Sequence, residues 1–256
     1  MNFCVCIKQV PDVSAPIQVR DGELVMDAGR AVLNAYDASA VEEALVLTEQ
    51  HGGEVDVVLI GPERAAETVR KALAMGAARG THLVVGEDTE LDSAAVSELL
   101  ARHFEGHGYD VIATGKQAQD SDAGLAGAML AERLGLPYAT NAVGLAAEDP
   151  AEAGQAPRLV VTRQGDAGQE TIALPTPCLV TCSNDMNDPR IPNLRGVMAA
   201  KKKPIDTQPV EDVPAPSVRV LRYELPAQRE PGETLEGEPA EQAAAVVRKL
   251  HDASVI

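Results

Sequence analysis

The sequence predicts an α/β fold: a mostly parallel sheet flanked by helices, with antiparallel additions and an extended carboxyl-terminal arm. Three observations carry this. Over the first 135 residues short apolar runs alternate with helical patterns, the signature of parallel strands joined by crossover helices. After Leu136 the apolar runs are separated by turn-rich segments rather than helices. From Pro204 onward, prolines recur at 209, 214, 216, 226, 231 and 239 and keep the chain extended.

Phe3 to Lys8 reads as the first strand, and Ile17 to Val19 with Glu23 to Met26 flank the turn Asp21-Gly22 as a hairpin. Ala38 to Gln50 is the first helix. Its stripe is Val41, Ala44, Leu45 and Thr48, Glu42, Glu43 and Glu49 face out, and Gly52-Gly53 ends it. Val55 to Ile60 is the second strand, and Gly61-Pro62 turns it into a helix from Glu63 to Met75. Leu83 to Val85 is the third strand, followed by a helix from about Ser93 to His107. Val111 to Ala113, the fourth, leads through Thr114-Gly115-Lys116 to a helix from Ala123 to Leu134, closed by Gly135. The antiparallel additions are Ala142 to Leu145, Arg158 to Thr162 and Thr171 to Leu174; Cys178 to Thr181 is the last strand and Ala240 to His251 the last helix. The α/β domain therefore spans 1–203 and the arm with its helix 204–256. The arm's apolar beads, Val218, Val220, Leu221 and Leu225, are too few for a core. It is expected to lie on this chain's own domain or on a partner subunit.

A formal net charge of -17 repels polyanions, and an aromatic content of 2% leaves little to stack on bases, so nucleic acid is excluded as a partner. Met1 to Val10 lacks the pattern of a signal peptide, and no run reaches the roughly 18 apolar residues of a membrane span. A soluble cytoplasmic protein with no membrane insertion is expected. The cysteines fall in pairs, Cys4 with Cys6 and Cys178 with Cys182, each on one face of a strand. A metal site built from both is conceivable, but without C-x-x-C spacing they read as buried structural thiols. His103 and His107 lie one helical turn apart, with no third ligand at suitable spacing, and an exposed helix end is the expected setting.

No H-E-x-x-H, G-x-S-x-G or P-loop motif occurs. Chemistry-bearing residues concentrate instead between the fourth strand and the next helix, at the sheet edge where open α/β folds bind ligands. Asp120 and Asp122 there could perform acid/base work, hold a cation or cap the helix, Asp122 serving as N-cap. The small residues of Gly115 to Gly127 let backbone N–H groups approach a phosphate at a helix start, which points to a mononucleotide site.

Several segments resemble, in order, one family. Val5-Cys6-Ile7-Lys8-Gln9-Val10-Pro11-Asp12 looks like an opening V-K-x-V-x-D. Asn34-Ala35-Tyr36-Asp37-Ala38-Ser39-Ala40-Val41-Glu42-Glu43-Ala44 looks like N-P-[FY]-[CDE]-x-x-A-V-E-E-A. Ala72 to Gly80 resembles A-L-A-M-G-A-D-R-G, and Val161 to Thr171, Leu174 to Thr181 and Pro189 to Lys203 resemble a signature region. The chain is thereby identified as similar to electron-transfer flavoprotein beta subunits, from about residue 3 to residue 205.

The resemblance implies a Rossmann-type, adenine-nucleotide-hydrolase-like fold and a non-catalytic electron-carrier role. The beta subunit pairs with an alpha subunit that holds most of a redox-active FAD, and embraces it with its arm. Electrons come from flavin dehydrogenases, such as acyl-CoA dehydrogenases, and pass toward a membrane quinone oxidoreductase. The implied nucleotide contacts are Cys6, Asn34, Ala35, Tyr36, Asp37 and Ile60. To these the loop adds Asp120, Ser121, Asp122, Ala123, Gly124, Leu125 and Ala126, and the helix Gly127, Ala128, Met129, Leu130 and Ala131. Val13 falls where the family approaches the flavin, and Leu194 matches the leucine that anchors in a hydrophobic pocket of partner enzymes. The nucleotide is a structural AMP in carriers and a second FAD in the bifurcating branch. Here the loop Asp120 to Ala128 follows neither the Asn/Gln-Thr-Gly-Gln pattern of carriers nor the D-G-D-T-A-Q-V-G-P of bifurcating members, and Ala35 replaces the usual Pro. The missing Thr and Gln would have served a second flavin's polar tail, which favours AMP. The reading from another class is a stand-alone nucleotide-binding sensor or enzyme on the same fold.

Overall fold

The alternation of Phe3-Cys4-Val5-Cys6-Ile7 sorts side chains to two faces of one sheet, and both faces are buried. The computed structural model describes all residues except 13, 15, 26–29, 149–155 and 230, so Met26 of the expected hairpin lies outside the described residues. Strand β1 (Phe3–Ile7) sends Phe3, Val5 and Ile7 into one apolar core. Cys4 and Cys6 enter a second core on the opposite side.

Short strands β2 (Gln9–Pro11) and β5 (Ala31–Leu33) pair antiparallel, as do β3 (Gln18–Arg20) and β4 (Glu23–Val25). Helices α1 (Ala35–His51) and α2 (Ala66–Met75) cover the first face through Val41, Leu45, Val69 and Leu73. Helices α3 (Ser93–Phe104) and α4 (Ala126–Leu134) cover the second through Leu100, Phe104, Leu130 and Ala131. Burying both faces in this way is the three-layer solution for a parallel sheet.

The remaining strands are β6 (Val55–Gly61), β7 (Arg79–Val84), β8 (Val111–Gly115), β9 (Tyr138–Glu148), β10 (Arg158–Gly165), β11 (Gly168–Pro175), β12 (Cys178–Cys182) and β13 (Ile205–Pro209). They join β1 in a nine-stranded sheet of order β11-β10-β9-β12-β8-β1-β6-β7-β13. The pairs from β9 to β13 along this order are parallel, and β10 and β11 add antiparallel. From β1 the chain steps through β6 and β7 on one side, then returns as β8 on the other. The order reverses there, and the carboxyl ends of β1 and β8 frame the crevice where such sheets bind ligands.

Several expectations shift for physical reasons. Strand β9 is antiparallel only to β10; the crossover helix α4 delivers it parallel to β12. Strand β7 starts at Arg79 rather than Leu83. Its first half is polar, but His82 is buried with Nε2 3.1 Å from the Gly61 carbonyl, and Gly80 lies against Val69, whose Cγ1 would be 2.3 Å from an added Cβ. Helix α3 stops at Phe104, short of His107, with Gly106 at φ 79° just beyond. The segment expected to open the arm at Pro204 instead supplies β13, parallel to β7. It follows a helix the periodicity did not reveal, α5 (Leu194–Ala200), capped by Asn193, whose Oδ1 accepts from the Gly196 amide at 2.9 Å.

The chain divides into two units, Met1–Arg222 and Tyr223–Ile256. The second holds helix α6 (Pro239–Asp252), begun by a Glu238–Glu241 capping box with Pro239 in the first turn and with no buried residue. Among the described residues no helix is long and apolar enough to cross a membrane.

Candidate functional site

Strands β1, β8 and β12 end side by side at the reversal. The Lys116 amide donates to the Cys182 carbonyl at 2.7 Å and the Asn34 amide to the Lys8 carbonyl at 3.0 Å, so the floor of the crevice is ordered main chain. Asp37, in the first turn of α1, clasps two of these ends. Its Oδ2 accepts from the Lys8 amide at 2.7 Å and its Oδ1 from the Gly115 amide at 3.0 Å. Burial pushes this carboxyl up to about 7, opposed by those hydrogen bonds and by the charge of Lys8. The clasp requires glycine at 115, because an added Cβ would lie 2.2 Å from Asp37 Oδ1.

The loop from Lys116 to Leu125 is tied down by a second clasp. Asn34 occupies the N-cap position of α1, yet its amide reaches across the crevice instead of capping its own helix. Nδ2 donates to the Gln117 carbonyl at 2.9 Å, and Oδ1 accepts from the Gln119 amide at 3.1 Å. Gln119 replies with Oε1, which accepts the Ala35 amide at 3.1 Å and so does the capping Asn34 leaves undone. Lys8 Nζ donates to both carboxylate oxygens of Asp120 at 2.8 Å, and Ser121 Oγ donates to Asp120 Oδ1 at 3.1 Å.

Asp122 is not the N-cap of α4. The Asp122 amide donates to the Ala118 carbonyl and the Ala118 amide to the Ala123 carbonyl, so 118–123 closes as a separate turn with Asp122 left-handed at φ 52°. Its carboxylate accepts from Gln117 Nε2 at 3.0 Å. Helix α4 begins only at Ala126, with Leu125 at the cap position and no side-chain capping bond. Its first turn rests directly on the sheet, since an added Cβ at Gly127 would lie 2.7 Å from both Thr114 Oγ1 and Thr181 Cγ2.

The structure thus gathers Asn34, Ala35, Asp37 and the loop from Asp120 to Gly127 around one crevice. Half-buried Tyr36 stands beside it, its Cβ 2.7 Å from where a Gly115 Cβ would be. Ile60 lines an adjoining cleft with Lys8, Gly61 and Val85 at the ends of β1, β6 and β7. Cys6 is buried in the α3–α4 core, and Leu130 and Ala131 lie in the same core. Ala128 and Met129 are half-buried. Val13 lies outside the described residues. Lys8, Gly115, Gln117 and Gln119 build the site without having been singled out. All four stand inside segments quoted above, but only the fold shows that they meet.

Residues 23–213 match the family described as Electron transfer flavoprotein domain. The electron transfer flavoprotein subunit beta of Bacillus subtilis is 34% identical over 264 residues, covering 100% of both chains. That of Bradyrhizobium diazoefficiens is 40% identical over 240 residues, 91% of this chain and 92% of that protein. The chain belongs to the electron transfer flavoprotein beta-subunit family. A further relative, the caffeyl-CoA reductase–Etf complex subunit CarD of Acetobacterium woodii, is 33% identical over the whole of both chains. Membership ties the chain to flavin-dependent electron transport.

Elsewhere on this electron transfer flavoprotein chain, the two cysteine pairs face opposite cores, so they do not share a site; all four are free and buried. Burial pushes the Cys178 thiol up to about 12 and the other three thiols well up, which suits inert core residues. The His103 and His107 rings stand 4.8 Å apart, and among the described residues no group of three His, Cys, Asp or Glu is placed to hold a metal. Leu194, at the start of α5, is 77% exposed and does not pack into its own domain. The three lysines after α5 differ. Lys201 and Lys202 are exposed, whereas Lys203 Nζ donates to the Leu73 and Ala77 carbonyls at 2.9 and 2.6 Å and closes the carboxyl end of α2.

Proposed function

We propose that the chain is the beta half of a heterodimeric electron carrier that binds a structural AMP in the β1–β8 crevice. Its alpha partner holds the FAD, which this chain helps to enclose. Electrons enter from flavin dehydrogenases and leave toward a membrane quinone oxidoreductase; the chain itself catalyses nothing and works in the cytoplasm. The observation that carries the nucleotide is the start of α4: main-chain amides with no side-chain cap, over the glycine seat at 127, at the reversal of strand order. These residues fit a phosphate. FAD supplies the redox chemistry, and the protein supplies orientation and electrostatics.

AMP is favoured over a second FAD because the loop from Asp120 to Ala128 lacks the Thr and Gln that would serve a second flavin's polar tail. Co-purifying the chain with its alpha partner, extracting with acid and counting nucleotides tests this. One flavin and one AMP per heterodimer is the expected result. Two flavins without AMP selects the bifurcating alternative, and failure to pair with any alpha subunit selects the stand-alone reading.

Leu194 is our candidate for the docking site of dehydrogenases; the exposure of its side chain supports this reading. One anchor of this kind contributes about 2 kcal/mol, or about 30-fold in affinity. Leu194→Ala should raise the KM of a dehydrogenase for the heterodimer while flavin content and Tm hold.

A further inference from the structure

The residues around Leu194 form an apolar platform: Ile191 is 92% exposed, and Val197 and Met198 are exposed beside it. A short exposed segment of this composition is expected to move, but both of its ends are tied to helices. At the far end, Arg70 on α2 donates to the Ala200 and Lys203 carbonyls at 2.7 and 2.6 Å. In the middle, Gly196 sits so close to α2 that an added Cβ would lie 2.6 Å from the Ala74 carbonyl oxygen.

The near end is held chiefly by Arg190. The Arg190 guanidinium bridges two carboxylates two turns apart on α1. Nε and NH2 donate to Glu42 at 2.8 and 3.0 Å, and NH1 donates to Glu49 at 2.6 Å. The Arg190 amide also donates to Glu42 at 3.0 Å, and Asn187 Nδ2 donates to the Ser39 carbonyl at 3.1 Å and to Glu43 at 2.9 Å. Glu42, expected from the helix stripe to face out, is buried, and its pair with Arg190 is shielded from salt. The planar fork gives each carboxylate its own donors, a paired geometry that a compact ammonium does not reproduce.

We propose that Arg190 is a positioning residue for docking: by bridging Glu42 and Glu49 it fixes the 191–198 platform on α1, so that Leu194 meets its partner already ordered. The proposal rests on the docking role of Leu194. An anchor presented in one geometry spares the complex the cost of ordering the segment on binding.

The test uses the intact heterodimer, reduced by an acyl-CoA dehydrogenase at saturating acyl-CoA. Arg190→Lys should raise the KM for the heterodimer about tenfold, leave kcat, flavin content and Tm nearly unchanged, and speed amide hydrogen exchange at 191–198 alone. Glu49→Gln, at an exposed carboxylate that the fold tolerates losing, should do the same more weakly. If Leu194→Ala raises KM but Arg190→Lys does not, or if exchange at 191–198 is unaltered, the positioning role is overturned while the docking reading stands. If Leu194→Ala itself leaves KM unchanged, the docking reading fails and takes the positioning role with it.

Discussion

Asp37 and Asp56 are both buried, at opposite ends of the same parallel strands, and they are held in different ways. Asp56, the second residue of β6, takes Arg79 NH2 at 2.9 Å, Arg79 Nε at 3.3 Å and the Tyr109 hydroxyl at 3.0 Å. These donors sit on side chains, and that of Arg79 is 60% exposed. Asp37 takes the amides of Lys8 and Gly115, which the sheet fixes in place. A guanidinium can turn to water when its carboxylate is lost, but a buried amide cannot. The amino end of the sheet is therefore closed by a self-contained ion pair, whereas the carboxyl end is built on immovable donors, the kind of shell a ligand site needs.

The largest expected effect follows directly. Asp37→Ala strands two main-chain amides and should cost about 3 kcal/mol, seen as a large fall in Tm of the heterodimer together with loss of bound AMP. Asp56→Asn should cost only about 1 kcal/mol, because Arg79 is already half in solvent and has Glu54 within 3.6 Å. Equal losses in the two variants would break the contrast.

A third experiment sharpens it through pH. The Asp37 carboxyl is raised in the folded chain from 3.8 to about 7, so the stability it contributes is complete below 3.8 and is lost as pH rises through about 7. The Tm difference between wild type and Asp37→Asn should shift against wild type between about pH 4 and about pH 7 and level off above that. A difference that stays flat would show that Asp37 does not titrate there. The smallest effect on stability is expected at Lys8, 44% exposed in its pair with Asp120. Lys8→Met should change stability by no more than about 0.5 kcal/mol, yet lower AMP retention on dialysis by leaving Asp120 uncompensated. A retained AMP complement would remove Lys8 from the electrostatics of the site.

What was legible in the sequence is what short-range patterning dictates. The alternation in β1, the stripe of α1 and the glycine stops each depend on neighbours in the chain, and they sufficed to place the crevice. The clasps that shape it do not. Asn34 stands out only through the family-like segment around it, and only the approach of residues 117–119 reveals that its amide is spent across the crevice. Asp122 reads as a helix cap, and loses that role because a local turn captures its main chain first. The polar half of β7 gave no strand signal because its burial comes from packing against α2. Helix α5, of seven residues, is too short for a periodic signal.

The pairing of β13 with β7 has a practical consequence. Ile205 to Pro209 lie in register along Gly80 to Val84 and cover what would otherwise be the last strand on that side. A chain cut at Lys203 would bare a row of unpaired main-chain groups, a template for strand addition by any neighbouring copy. Insoluble preparations of such a fragment would then report edge-to-edge aggregation and say nothing about whether the missing arm grips a partner. A cut that separates those two causes lies beyond Pro209.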